Sequence, residues 1–205
     1  MEMEQKKLFG NYTPANARIS SLITTRDMNI TEAINNIQDV LQSVGVSKLD
    51  THYPRENNLE DGWYFVLEGV IHPQSYIYSR KALDEILSEA KKALFVYNVN
   101  AMSKLPARID EYTDIPEEMR ADMVIFKVES GKITRKKYIE IDGEGHRMPI
   151  KRQSNFDFAK AVLRDKIKDY ILKDELQRFP ATTRTGKKLF DDVLSYLSWW
   201  SNQEQ

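Results

Sequence analysis

The sequence contains no cysteine and only three histidines among its 205 residues. The absence of cysteine excludes disulfide frameworks, thiolate zinc sites and cysteine nucleophiles. Any metal ion must therefore be held by carboxylate, carbonyl, water or histidine ligands, and Mg²⁺, for which Mn²⁺ can substitute, is the default. His52 and His72 stand alone in loop or strand-edge sequence, and we expect structural or solvated roles for them.

Long apolar segments are missing as well. No run approaches the roughly 20 apolar residues that a membrane span requires, and the start, MEMEQKK, lacks the apolar segment of a signal peptide. We therefore expect a cytoplasmic chain with no membrane partner. The content of 41% hydrophobic and 30% charged residues is typical of a folded globular protein with one sizeable core.

Charge is unevenly distributed along the chain, although the formal net charge is only −1. Residues 1–119 hold 12 basic and 18 acidic residues, residues 120–188 hold 18 and 10, and residues 189–205 hold none and 3. The net charges of these segments are therefore −6, +8 and −3. A basic segment around an acidic cluster suits a polyanion that also ligates metal, as nucleic acid does. The alternative is a solvated face on an ordinary domain.

Two regions can be distinguished from the helix and strand signals. In the first region, Asn29 with Glu32 marks the start of one helix and Ser79 marks the start of another. Residues 63–71 have the aromatic and β-branched composition of a strand. We expect residues 1–105 to form a helical and mixed N-terminal region of unknown role, either structural or concerned with DNA recognition. Residues 106–205 are expected to form a core that ends in helices.

A β-hairpin is predicted where the segments 121–128 and 133–141 flank the turn-like tetrapeptide ESGK. Asp122 lies at the start of the first strand, and Glu140 and Asp142 share one face at the end of the second. Pairing about the turn brings these ends together, so three carboxylates converge. Because neighbouring carboxylates repel, one must be protonated unless a cation neutralises the group, and replacing an acid by its amide should leave stability equal or higher.

Two helices are predicted after the hairpin. Ser154 caps a helix that runs to about Glu175, and KKLFDDVLSYLSWW forms another, whose tryptophans anchor a core or an interface. The first of these helices carries an apolar stripe through Val162 and Ile167. Its opposite face carries four charged residues, Asp157, Lys160, Arg164 and Lys168.

Three carboxylates are the ligands that a magnesium site needs, because the ion polarises a phosphate oxygen and lowers the pKa of a bound water. His146, which follows Asp142 by four residues, would act as a general base or hydrogen-bond the phosphate. The alternative is a set of solvated carboxylates beside Lys136, Lys137 and Arg147.

The run RADMVIF, the hairpin, the run YIEIDGEGH and a helix containing RDKIKDYIL resemble the PD-(D/E)XK nuclease superfamily, in particular its branch of very-short-patch-repair-like endonucleases. The resemblance covers roughly residues 116–175, and the matching positions are Arg120, Asp122, Ile139, Glu140, Asp142, Gly143, His146, Asp165, Lys168 and Leu172. The usual lysine of the E-x-K element is replaced by Asp142, so the catalytic lysine is open between Lys160 and Lys168. The family's helix motif, D-x-x-R-x-x-x-L, is matched by Asp165 and Lys168. The pair Asp157 and Lys160 is an alternative match to the same motif.

The resemblance implies an α/β fold, in which a central mixed β-sheet contains the hairpin and is flanked by helices, as in restriction endonucleases. It also implies hydrolysis of DNA phosphodiester bonds that depends on Mg²⁺. Asp122 and Asp142 would hold the ion, Glu140 would complete its shell, and His146 would orient or deprotonate the attacking water. The side chains expected to contact DNA phosphates are Arg147, Lys160, Arg164 and Lys168.

Two functional interpretations compete. The first is an endonuclease, for example a phage or mobile-element enzyme that acts in the host cytoplasm. The second is a nucleic-acid-binding or assembly protein that keeps a nuclease-like fold without cleaving. A histidine-metal nuclease of another fold is disfavoured, because a single histidine lies near the site. A homodimer is compatible with either interpretation.

Overall fold

The structure, a computed structural model, describes residues 28–52, 59–109, 114–143, 146–150, 153–181 and 186–203. Its strands are β1 (Ser47–Lys48), β2 (Gly62–Ile71), β3 (Met119–Glu129), β4 (Lys132–Asp142) and β5 (Leu176–Pro180). Its α-helices are α1 (Ile30–Ser43), α2 (Arg80–Val96), α3 (Asn155–Leu172) and α4 (Gly186–Ser201). None of the helices in this described part of the chain combines the length and the apolar character that crossing a bilayer demands.

The strands form one mixed sheet in the order β1-β2-β3-β4-β5. β2, β3 and β4 are antiparallel neighbours, whereas β1 runs parallel to β2 and β5 runs parallel to β4. The connection from β4 to β5 passes through α3, since two parallel strands need a crossover. The predicted α/β class with a mixed sheet is confirmed.

The β3–β4 hairpin turns at Ser130 and Gly131, whose φ angles of 53° and 72° are both positive. Two central residues with positive φ give the turn a twist that matches the flanking strands, and glycine adopts this conformation without a steric penalty. The predicted hairpin is confirmed, and each strand extends one or two residues beyond its predicted ends.

Helices cover both faces of the sheet. α2 and α3 pack together on one face, and α1 and α4 pack together on the other. Val124 of β3 and Tyr138 of β4 contribute to the core under α2 and α3, whereas Met123 contributes to the core on the opposite face. Because side chains alternate along a strand, Asp122 and Glu140 lie on the α2 and α3 face.

Three helices begin at the polar residues that the sequence predicts. Asn29 and Glu32 form a reciprocal capping box at α1, in which the Glu32 N–H donates to Asn29 Oδ1 at 2.9 Å. The hydroxyls of Ser79 and Ser154 each accept a hydrogen bond at 3.1 Å from the backbone N–H three residues later. These caps satisfy N–H groups that would otherwise lack partners at the helix start.

Both predicted regions contribute to the same sheet, because β2 of the first region pairs with β3 of the second. The role of residues 1–105 stays a prediction, and residues 1–27 lie outside the described residues. The sheet therefore supplies one framework on which the hairpin end, α3 and β5 meet.

Candidate functional site

The predicted carboxylates lie at one end of the β3–β4 hairpin. Met123 pairs with Ile139, and Asp122 and Glu140 follow them one step further from the turn. The backbone N–H of Ile141 donates a hydrogen bond to Asp122 Oδ2 at 2.6 Å. This bond ties the start of β3 to the end of β4, the strand that carries the other two acids.

Glu140 forms a buried ion pair with Lys168 of α3. Lys168 Nζ lies 2.6 Å from Glu140 Oε1, and the two side chains are 11% and 4% exposed. The sequence places Lys168 on the solvated face of α3, opposite the apolar stripe, and this prediction is wrong. Lys168 follows the buried Ile167 and lies about 100° around the helix from it, which suffices to turn it toward the sheet. Its burial is tolerated because Glu140 pairs with the ammonium group.

Arg178 of β5 joins Asp142 to two acidic residues of α3. Its guanidinium lies 2.8 Å from Asp142 Oδ1, 2.8 Å from Asp169 Oδ1 and 3.6 Å from Asp165 Oδ1. The parallel pairing of β4 and β5 places Arg178 opposite Glu140 on the neighbouring strand. Burial disfavours the charged guanidinium, but the three aspartates outweigh this effect and raise the pKa of Arg178. Arg178 therefore stays charged and neutralises this part of the site.

His146 lies between two aspartates. Its Nδ1 atom is 2.8 Å from Asp165 Oδ2 and 3.6 Å from Asp142 Oδ1. The hydrogen bond to Asp165 raises the pKa of His146 against the opposing effect of burial. Burial alone would raise the pKa of Asp165, but His146 and Arg178 reverse this and hold it below its usual value. Because Nδ1 is engaged, Nε2 is the nitrogen that can meet a substrate.

The pKa values of Asp122 and Glu140 are both raised, and burial is the largest cause in each case. Repulsion adds to this effect, since Asp142 raises the pKa of Asp122 and Asp122 raises that of Glu140. Lys168 acts in the opposite direction on both acids. Glu140 is buried, whereas Asp122 keeps part of its surface exposed to solvent. The three carboxylates are therefore close enough to repel one another, as the hairpin predicts.

Positive charge at the carboxylates comes from the protein itself. Lys168 neutralises Glu140 and Arg178 neutralises Asp142, so the protein itself supplies cations of the kind that like-charge repulsion calls for. Within the described residues, no group of three or more histidine, aspartate and glutamate side chains is arranged to hold a metal ion.

Each carboxylate uses one oxygen in these contacts. Asp122 Oδ2 accepts from the backbone, Glu140 Oε1 accepts from Lys168, and Asp142 Oδ1 accepts from Arg178. The second oxygen of each group is therefore the atom through which a hard cation would be bound.

In the described part of the chain, three exposed basic side chains form no ion pair with this network. Arg147, Lys160 and Arg164 are exposed, and Lys160 Nζ lies 4.3 Å from the ring centroid of Phe156. Of the two lysines that the sequence leaves open for the site, the structure brings Lys168 to the carboxylates. Lys160 belongs to none of the ion pairs described above.

Two neighbouring lysines of β4 are engaged elsewhere. Lys136 lies 3.3 Å from Glu175, and the buried Lys137 donates to the carbonyl of Asp174. The alternative of solvated carboxylates beside these two lysines is therefore wrong for Glu140, which is buried and paired with a helix residue.

Arg178 and Asp169 are site residues that the sequence does not indicate. Arg178 lies in LQRFP, a short segment in which only one residue is fully buried and no period-two alternation is visible. Its place beside Asp142 depends on the pairing of β5 with β4, which no local pattern specifies. The spacing of Asp165, Lys168 and Asp169 places these three residues near one another on one helix. This spacing indicates that α3 carries site residues, but it does not indicate that β5 contributes Arg178.

Comparisons of the chain with protein-family models, with curated proteins and with solved structures give no match. The resemblance to PD-(D/E)XK nucleases therefore stays a prediction.

Proposed function

We propose that the chain is a metal-dependent endonuclease that hydrolyses DNA phosphodiester bonds, with Asp122, Glu140 and Asp142 as metal ligands. The observation that carries the proposal is the meeting of these acids with Lys168 at the end of the hairpin. Acidic residues on neighbouring strands, with a lysine beside them, are the side chains that the resemblance assigns to cleavage. The mixed sheet flanked by helices is compatible with the restriction-endonuclease-like fold that belongs to this proposal.

The chemistry of the donor set suits Mg²⁺ or Mn²⁺, although the three side chains are not arranged around a common point in the described residues; in this proposal the substrate phosphate completes the site. All three ligands are carboxylates, which are the hard oxygen donors that these ions prefer. The ion, when bound, would polarise a phosphate oxygen and lower the pKa of a water molecule. Lys168 and Arg178 hold the other oxygens of Glu140 and Asp142, as outer-shell partners orient metal ligands.

Two further groups act on the substrate in this proposal. His146, oriented by its hydrogen bond to Asp165, presents Nε2 to orient or deprotonate the attacking water. Lys168 positions Glu140 and places a positive charge beside the reacting phosphate. Arg178 is a positioning residue, because it touches Asp142 and Asp165 and fixes both.

Exposed cations supply the DNA-binding surface of the proposal. Arg147, Lys160 and Arg164 are exposed and lie in the segment with a net charge of +8. Phosphate contacts of this kind give affinity without base specificity. Lys168 is excluded from this surface, since it is buried.

Purified protein should be tested on supercoiled plasmid, linear duplex and branched DNA with Mg²⁺ or Mn²⁺. We expect cleavage by the wild type, none after addition of a chelator, and none by Asp122→Asn. The matched control is Asp39→Asn, an exposed aspartate of α1, which should cleave as the wild type does. Cleavage by a folded Asp122→Asn variant at the wild-type rate would overturn the proposal.

A second candidate is a protein that binds nucleic acid in the same fold without cleaving it. The observation that favours it is the neutralisation of Glu140 and Asp142 by Lys168 and Arg178. Such a protein would bind duplex or branched DNA with the salt dependence of phosphate contacts and leave every substrate intact in both metals.

A further inference from the structure

A pocket of about 410 Å³ opens beside the ionic network, with His146, Asp165 and Lys168 in its lining. Its volume falls within the range of roughly 300–1,000 Å³ that is common for small-molecule sites. None of the three metal-ligand candidates is among its lining residues, so it is a cavity next to the carboxylates and not the carboxylate site itself.

Four basic residues line the pocket, and they differ in how they are paired. Lys168 and His146 contact carboxylates of the site, and Arg120 lies 3.0 Å and 3.2 Å from two glutamates. Arg164 projects from the exposed face of α3, and in the described part of the chain no carboxylate lies within ion-pair distance of it. Arg164 is therefore the cation of the lining that is best able to bind an added anion.

Apolar side chains, one amide and the carboxylate of Glu118, which pairs with Arg120, complete the lining. Met119 at the start of β3, Ile150 and Ala161 give the pocket an apolar surface, and Ile150 is 56% exposed. Gln153 Oε1 accepts a hydrogen bond from the Ile150 N–H at 3.2 Å, which orients its Nε2 group as a donor. An apolar surface with an amide donor beside it suits a planar ring with polar edges.

We infer that this pocket binds one nucleotide of the substrate strand, with its phosphate toward Arg164 and its base against Met119 and Ile150. The inference rests on the proposed function for the assignment of the ligand to nucleic acid. A nucleotide unit combines an anionic group with a planar ring, and these are the two chemistries that the lining offers. A base seated here must leave its stack, so the pocket favours DNA with an unpaired or displaced nucleotide near the cleaved bond.

The pocket can be tested without cleavage. Thymidine 5′-monophosphate, thymidine and inorganic phosphate should be titrated into the full chain in a chelator, with binding followed by NMR chemical shifts. We expect the nucleotide to bind about tenfold or more tightly than thymidine or phosphate, since the phosphate adds a charge-assisted bond and the base adds apolar contact.

Three variants assign the binding to this pocket. Arg164→Gln should weaken nucleotide binding by about tenfold and leave thymidine binding unchanged, whereas Arg80→Gln, at an exposed position at the start of α2, should change neither. Ala161→Leu fills the pocket, and Ile150→Ser removes apolar contact at an exposed position that the fold tolerates. Both should weaken the binding of nucleotide and thymidine alike.

Two results would overturn the inference. The first is that the nucleotide binds no more tightly than inorganic phosphate. The second is that the variants Arg164→Gln, Ala161→Leu and Ile150→Ser all bind the nucleotide with wild-type affinity. Failure of the proposed function has a different signature. In that case the nucleotide binds and the variants respond as expected, but wild-type protein leaves every DNA substrate intact in Mg²⁺ and Mn²⁺.

Discussion

Replacing Lys168 by methionine should destabilise the protein strongly at neutral pH, because Glu140 would then be buried without a partner. The gross attraction of the pair across 2.6 Å is about 6 kcal/mol at an effective dielectric constant of 20. Desolvation of two side chains that are 11% and 4% exposed offsets most of this attraction. The pair therefore adds little net stability, whereas loss of one partner leaves the desolvation cost of the other.

The size of the loss is bounded, since Glu140 can escape by taking up a proton. Protonating a carboxyl of ordinary pKa about 4.3 costs about 3.7 kcal/mol at pH 7 and about 1 kcal/mol at pH 5. Glu140 already has a raised pKa in the folded protein, and removal of Lys168 raises it further. The folded state then binds more protons than the unfolded state, so the stability of Lys168→Met falls as pH rises above about 4.3.

The assay is urea unfolding of wild type and variant in a chelator at both pH values. We expect Lys168→Met to lose about 3–4 kcal/mol at pH 7 and about 1 kcal/mol at pH 5. Glu140→Gln should also lose stability, contrary to the equal or higher stability that like-charge repulsion predicts, because Lys168 would then be buried without a carboxylate partner. The double variant should recover most of the loss. A loss below about 1 kcal/mol at pH 7, or an equal loss at both pH values, would refute the reasoning.

Three other predictions concern pH, packing and salt. The pKa of His146 is raised in the folded protein, so protonated His146 stabilises the fold. This stability is complete below about pH 6.5 and is lost as pH rises through the folded pKa. Urea unfolding in a chelator should show this decline for the wild type and not for His146→Gln. A Cβ at Gly69 would overlap Val124 Cγ2, so Gly69→Ala should lower the free energy of unfolding by about 1–3 kcal/mol. Gly62→Ala is the control, because a Cβ at Gly62 has room. Equal unfolding midpoints for the two variants would contradict this prediction. In Ca²⁺, Lys160→Ala and Arg164→Ala should each lower the slope of log affinity against log salt by about one unit, and unchanged slopes would place DNA elsewhere.

Much of the hairpin could be predicted from the sequence because its determinants are local. The ESGK turn provides a glycine where positive φ is needed, and the two-residue repeat assigns Glu140 and Asp142 to one face. Helix starts are local for the same reason, since Asn29, Ser79 and Ser154 each cap a backbone N–H three residues away. These features need no knowledge of the rest of the fold.

The electrostatics of the site could not be predicted in the same way, because its ion pairs join distant parts of the chain. Lys168 is 28 residues from Glu140, and Arg178 is 36 residues from Asp142. α3 packs against both α2 and the sheet, so its buried surface is broader than one apolar stripe and includes Lys168. β5 gains its strand conformation from pairing with β4 and not from its own five residues.

In the proposed function, Asp122, Glu140 and Asp142 bind one divalent ion when a phosphate completes the site. The most direct measurement is Mn²⁺ binding by calorimetry to the protein bound to a non-cleavable duplex. We expect one Mn²⁺ per chain, and we expect this binding to be lost in Asp142→Asn and kept in Asp39→Asn. Failure of the wild-type complex to bind Mn²⁺, or equal binding by a folded Asp142→Asn variant, would contradict it.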